Sequence, residues 1–273
     1  MALDVAPLWN YSDPEGSEKR FRQALAGASS DDALELQTQI ARTYGLRRRF
    51  TEARQILAGI EAAIPRAAAQ PQVRFYLELG RTYASPAHEP EAITPEAREK
   101  ARSAYTQAFE KAKAARLDYL AVDALHMMNM VDPEPADQLA WDEKALAYME
   151  ASSQEEAKKW EGSLRNNLGY AYHLAGRYDE ALAQYRLSLA AFERSGRTAN
   201  VRIAHGMIAQ TLRFQGKVQE AIAIQLRLER EWNEAGQPDP YVYEELEKLY
   251  RDAGNPALAD AYAAKLRESR RAR

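Results

Sequence analysis

The chain has 273 residues, with 37 Lys and Arg against 40 Asp and Glu, a formal charge of −3 and a pI of about 5.9, so it lacks the basic footprint that a phosphate backbone demands. It has no cysteine, which excludes disulfides, thiolate metal sites and a cysteine nucleophile and agrees with a reducing compartment, the cytoplasm. No charge-free apolar run approaches the roughly 20 residues needed to cross a bilayer, and the start "MALDVAPLWNYSDPEG" has neither a basic nor an apolar leader region, so neither export nor membrane insertion is expected.

Taken in chain order, nearly every segment reads as helix. Residues 1–33 hold one amphipathic helix, "EGSEKRFRQALAG", opened by Asp13-Pro14 and expected to cap the open end of the helical array. Residues 34–67 open within "DALELQTQIARTYGL" (residues 32–46), whose Leu, Ile, Ala and Tyr recur at i, i+3, i+4 and i+7. In residues 73–115 two helices flank "SPAHEPEAITP", whose three prolines forbid helix and predict a loop, with Thr94-Pro95 starting the second helix. Residues 118–152 are degenerate; Met127, Met128 and Met130 read there as core filler, and Asp132-Pro133 as a helix start. Residues 162–195 carry "LGYAYHLAGRYDEALAQY" and residues 202–235 "IAQTLRFQGKVQEAIAIQ". Residues 240–273 open at Asp239-Pro240, reopen at Asn255-Pro256 and end in a basic tail that reads as a solubilising helix end. Gly176, Gly216 and Gly254 stand where a left-handed residue ends one helix before the next begins.

These segments are copies of one unit. Aligned, they place Tyr44, Tyr83, Tyr172, Leu212 and Tyr250 at one position and, counting an altered copy around Met128, have a mean step of about 41 residues. A small residue three places earlier (Ala41, Gly169, Ala209) lets two helices approach, and an alanine nine places later (Ala53, Ala181, Ala221) starts the core of the second helix. On these residues the chain resembles the tetratricopeptide repeat (TPR) family. The long step and the paired asparagines of "RNNLGY" are similar to the kinesin light chain subtype, and the chain as a whole resembles free-standing bacterial TPR proteins. The resemblance implies an all-α, right-handed superhelical solenoid of about six helix-turn-helix repeats plus the N-terminal capping helix.

The resemblance also implies that binding occurs on the concave face lined by first helices. One inward row is then Arg42, Arg81, His126, Tyr170, Gln210 and Lys248, and another is Gln39, Glu78, Asp123, Asn167, Met207 and Glu245. Arg42 and Arg81 could fork onto a ligand carboxylate or pair with Glu78 or Glu35; both alternatives are open at this level. Asn166 and Asn167 could hydrogen-bond the main chain of an extended segment, and His173 belongs to the same first helix. The expected groove set is Arg42, Arg81, His126, Asn166, Asn167, Tyr170, His173 and Gln210. The lysine and asparagine set of the chaperone-binding carboxylate clamp is not reproduced in consecutive repeats.

For catalysis the best candidate is Asp123, one turn before His126, a spacing that lets a carboxylate and an imidazole share a helix face. Against it stand the missing HExxH, Gly-x-Ser-x-Gly, Walker and dinucleotide patterns. The expectation is a non-catalytic scaffold for a protein or peptide segment, with no cofactor, no metal, no nucleic acid and no membrane partner. A peptide-responsive regulator of the bacterial TPR-receptor type is the alternative, and a hydrolase built on Asp123 and His126 a distant third.

Overall fold

The computed structural model describes residues 3–132 and 134–271, and among them all regular structure is helical, with no strand. The chain forms two compact units, Met1–Trp160 and Glu161–Arg273. Unit 1 holds α1 (Pro14–Ala24), α2 (Ser30–Leu46), α3 (Phe50–Ile60), α4 (Ala69–Arg81), α5 (Pro95–Ala114), α6 (Asp118–Met128), α7 (Pro135–Ala151) and the one-turn α8 (Glu155–Lys158). Unit 2 holds α9 (Glu161–Leu174), α10 (Tyr178–Arg194), α11 (Thr198–Phe214), α12 (Val218–Glu234), α13 (Pro240–Asp252) and α14 (Pro256–Arg271). Each helix packs chiefly on the next one or two in sequence, so each unit is a stack of helix pairs with a core running through it. No helix among the described residues is long and apolar enough to cross a membrane.

The repeated position found by alignment has a backbone role. The carbonyls of Tyr44, Tyr172, Leu212 and Tyr250 accept from the amides of Arg49, Arg177, Lys217 and Asn255, five residues on, at 2.8–2.9 Å. This is the long bond of a Schellman turn, which satisfies an orphan carbonyl at the helix end and demands a left-handed residue just before the donor. Gly176 (φ 72°), Gly216 (φ 77°) and Gly254 (φ 71°) fill that place as the sequence predicts, and Arg48 (φ 60°) fills it in the first pair. Tyr83 departs from the pattern. The helix α4 ends at Arg81, because the following stretch with Pro86 and Pro90 cannot continue it, and Tyr83 lies in the loop beneath Arg54 and Lys100.

The predicted caps hold at four of five places. Asp13, Thr94 and Asp239 accept from the amides of Gly16, Ala97 and Tyr241, and Asn255 accepts from Leu258. Asp132 is the exception: α7 starts two residues later than expected, with Glu134 at its N-cap, and Pro133 lies outside the described residues. The Asp132 carboxylate instead accepts from Arg102 at 2.5 Å and from the Trp141 indole at 2.6 Å, and these charged and aromatic partners hold it below the usual carboxylate range. Met127 and Met128 are buried and Met130 packs against them, as core filler should.

The small-residue positions show why size matters. A Cβ on Gly169 would stand 2.7 Å from the Tyr185 ring, and one on Gly80 would stand 2.4 Å from Tyr105; both rings are fully buried and cannot retreat. Ala53, Ala181 and Ala221 are likewise wholly buried at the facing positions. Gly169→Ala is therefore expected to destabilise unit 2 by about 1–3 kcal/mol through overpacking, despite a helix-propensity gain of about 1 kcal/mol. Urea denaturation measures the balance, and a variant more stable than wild type would contradict the close approach.

Candidate functional site

In unit 1 the first helices α2, α4 and α6 bring Arg42, Glu78, Arg81, Asp123 and His126 to one pocket of about 240 Å³, closed on one side by Trp160. Here the arginines pair within the protein. Glu78 accepts from Arg42 at 3.1 Å and from Arg81 at 2.6 Å, and Arg81 also donates to Asp123 at 2.5 Å. Burial works against the Arg81 charge, but the carboxylates of Asp123 and Glu78 more than restore it; burial likewise opposes the charge of Asp123, yet Arg81 and then Arg42 hold its pKa below the ordinary value. Glu35 is engaged by Arg74 and Gln70 at 2.7 Å each.

Arg42 has further neighbours from its own chain. Trp9 stacks on Tyr11 at 4.6 Å, the Arg42 guanidinium lies 6.0 and 5.7 Å from their rings, and the Trp9 indole donates to Gln39. Residues ahead of α1 thus lie against the face of α2 that carries Gln39 and Arg42. The His126 ring packs on Trp160 at 5.3 Å, and burial pushes its pKa down. The Asp123–His126 pair therefore consists of a carboxylate held ionised by Arg81 and an imidazole kept neutral by burial. No group of three or more His, Asp or Glu side chains among the described residues is arranged to hold a metal ion.

In unit 2 the sequence-predicted residues lie on α9 and α11. Tyr170 is about half exposed. Asn166 and Asn167 are partly buried, and the Asn166 Oδ1 has no partner. His173 is tied into the scaffold: its Nδ1 lies 2.9 Å from the Thr211 hydroxyl, its ring meets Phe214 edge-on, and burial, then Arg213, lower its pKa. Gln210 lines a cleft of about 820 Å³ between α11, α12 and α13.

Beyond Met207, Gln210, Glu245 and Lys248, which stand in the two inward rows, that cleft escaped the sequence reading. Ile203, Gly206 and Met207 of α11, Gln225, Leu228 and Trp232 of α12, and Tyr241 and Val242 of α13 form its walls. The second-helix residues could not be found by a rule that looks only at first helices. Gly206 carried a readable signal, since an isolated glycine inside a helical pattern calls for a reason.

Residues 160–230 match the tetratricopeptide repeat family. No curated protein matches the chain. Among solved structures, the chain is similar to the apo form of RapI, with 13% identity, a TM-score of 0.69, and coverage of 96% of this chain and 74% of that one. Aspartyl phosphate phosphatase F from Bacillus subtilis is similar at 15% identity and a TM-score of 0.60, covering 97% of this chain and 79% of that one. A Podosopora anserina protein with nearly identical TPR-like repeats of the kinesin light chain type is similar at 16% identity and a TM-score of 0.56, covering 72% of this chain and 93% of that one. Residues 160–230 thus carry the tetratricopeptide-repeat pattern in sequence, and along its length the chain shares the helical-repeat fold of these structures.

Proposed function

We propose that the chain is a non-catalytic binding module that holds an extended protein or peptide segment against its first helices. The cleft of about 820 Å³ in unit 2 carries this reading, because its volume lies in the range of about 300–1,000 Å³ typical of ligand sites and its walls set the apolar Met207, Leu228, Trp232 and Val242 beside the carboxamides of Gln210, Gln225 and Gln237. In unit 1, Arg42 and Arg81 act within the internal ion pairs, and a carboxylate ligand there would have to displace Glu78. Of the groove set, Arg42 and Arg81 are ion-paired in unit 1 with His126 lining the same pocket, while Asn166, Asn167, Tyr170, His173 and Gln210 stand on α9 and α11 of unit 2.

Selection from a randomised library of capped peptides on immobilised protein is the test. Selected peptides should lose about 1 kcal/mol, close to fivefold in affinity, on Gln210→Ala and again on Asn167→Ala, whatever their side chains, because each change removes one amide partner of the main chain. Unaltered affinity in both variants, with melting curves intact, would move the binding surface away from the first helices. Failure to select any peptide would end the reading.

A second reading is a peptide-responsive signalling regulator. It is favoured by the similarity over nearly the whole chain to RapI and to a protein named as an aspartyl phosphate phosphatase. Both readings need the same cleft, and they part on whether occupancy alters the exchange of amides elsewhere in the chain. The Asp123–His126 hydrolase is not proposed, since the Arg81 pairing holds Asp123 to the scaffold.

A further inference from the structure

We propose that the unit 2 cleft is an anchor pocket for uncharged, bulky apolar side chains of the bound segment, flanked by glutamines that take its backbone amides. The proposal rests on the peptide-binding reading above and names the ligand chemistry of that site. It starts from the charges around the cleft, each of which has an ion-pair or capping partner within the chain, although the Arg202 Nε donates no hydrogen bond. Glu244 lies 2.8 Å from Lys248 and 3.0 Å from Arg270, Glu245 accepts from Arg213 at 2.5 Å, and Asp239 caps α13 through the Tyr241 amide. Arg202 lies 3.7 Å from Glu231 and 4.8 Å from the centre of the Trp232 ring. A charged ligand group would have to break one of these pairs and be desolvated as well.

Apart from that Arg202 Nε, the groups left over are neutral. Gln210, Gln225 and Gln237 carry carboxamides, each both donor and acceptor and so matched to a peptide unit. Gln225 is only 3% exposed, and its buried Oε1 has no partner in the protein, so an arriving N–H would offset a desolvation that folding leaves uncompensated. Around them are Met207, Leu228, Trp232 and Val242, and at the mouth Ile203 and Tyr241 are 48% and 77% exposed. Large apolar side chains standing in water beside an apolar cleft mark an interaction surface.

Gly206 supplies an independent observation. A glycine inside a helix weakens it, and at Gly80, Gly162 and Gly169 close packing compensates, since a Cβ there would come within 2.4–2.7 Å of an aromatic ring. At Gly206 the nearest atom to such a Cβ is Leu228 Cδ1 at 3.9 Å, an ordinary contact. Packing within the chain does not require this glycine. The missing side chain keeps the cleft open.

Gly206→Leu turns that observation into a test that misfolding cannot mimic, because the variant gains helix propensity and should melt at the same temperature as wild type or higher. The probes are fluorescein-labelled heptapeptides, acetylated and amidated, in a Gly/Ser background. Their three central residues are drawn from Leu, Ile, Met and Phe in one pool, from Asp and Glu in a second, and from Lys and Arg in a third. The apolar pool should bind wild type at least tenfold more tightly than either charged pool, and Gly206→Leu should weaken it at least tenfold. Binding of the apolar pool undiminished in Gly206→Leu, or preference for a charged pool, overturns the anchor pocket while leaving a peptide-binding module standing. Absence of binding by all three pools takes down both.

Discussion

Glu78→Ala is expected to destabilise unit 1 by about 3–5 kcal/mol, because it removes one partner of a buried ion-pair cluster and leaves the other charge desolvated. Glu78 is 2% exposed and is the carboxylate shared by Arg42 and Arg81. Arg81 keeps Asp123 when Glu78 is lost, whereas Arg42 keeps only the rings of Trp9 and Tyr11, and its buried Nε already lacks a partner. Arg42→Met added to Glu78→Ala should therefore restore much of the loss, since the remaining cluster is a matched pair. Trp9, Trp141 and Trp160 all belong to unit 1, so urea unfolding followed by tryptophan fluorescence in a Trp232→Phe background reports on that unit alone. Additive losses in the double variant would show that Arg42 and Glu78 do not depend on each other.

The second large effect concerns Asp142 on α7. It is 1% exposed, accepts from the Asn129 amide at 2.8 Å, and has no partner at its other oxygen. Burial pushes its pKa up to about 7 against an ordinary 3.8, with the Asn129 hydrogen bond opposing only in part. Below the ordinary pKa both folded and unfolded chains carry the proton and the site costs nothing. As pH rises from about 4 to 7 the unfolded chain releases the proton while the folded chain retains it, so stability falls, and the full penalty stands above pH 7. A shift of about three units corresponds to about 4 kcal/mol. Asp142→Asn keeps the size and the Asn129 contact and should thus stabilise unit 1 by up to about 4 kcal/mol at pH 8, with the gain shrinking toward zero near pH 4. Urea unfolding at both pH values measures it; a gain independent of pH would remove the carboxyl group as the cause.

What was readable in the sequence was local. Gly176, Gly216 and Gly254 and the caps at Asp13, Thr94 and Asp239 depend on atoms within five residues, so residue type and spacing suffice to identify them. Asp132 has the composition of a cap, but Arg102 and Trp141 draw its carboxylate away, and that competition is tertiary. Arg48 and Arg116 take positive φ without being glycine, because the Schellman turn fixes the backbone whatever the side chain, and composition gives no warning of it. At the candidate site, the first-helix rule identified Arg42, Arg81, Asp123 and Gln210 as lining residues but could not show that Arg81 bridges to Asp123 across helices. Gln225 and Trp232 lie on α12 and became visible only when α11 and α13 were seen to leave room between them.

The succession of helices that each rest on the next one or two has a kinetic consequence. Closing contacts between near neighbours costs little chain entropy, so a polymer of this kind need not wait for its far end before it begins to compact. During synthesis each helix would meet its packing partner soon after leaving the ribosome. The growing chain would then add order by accretion, and a stalled or truncated product would retain an ordered N-terminal part whose last apolar face is open to chaperones and proteases.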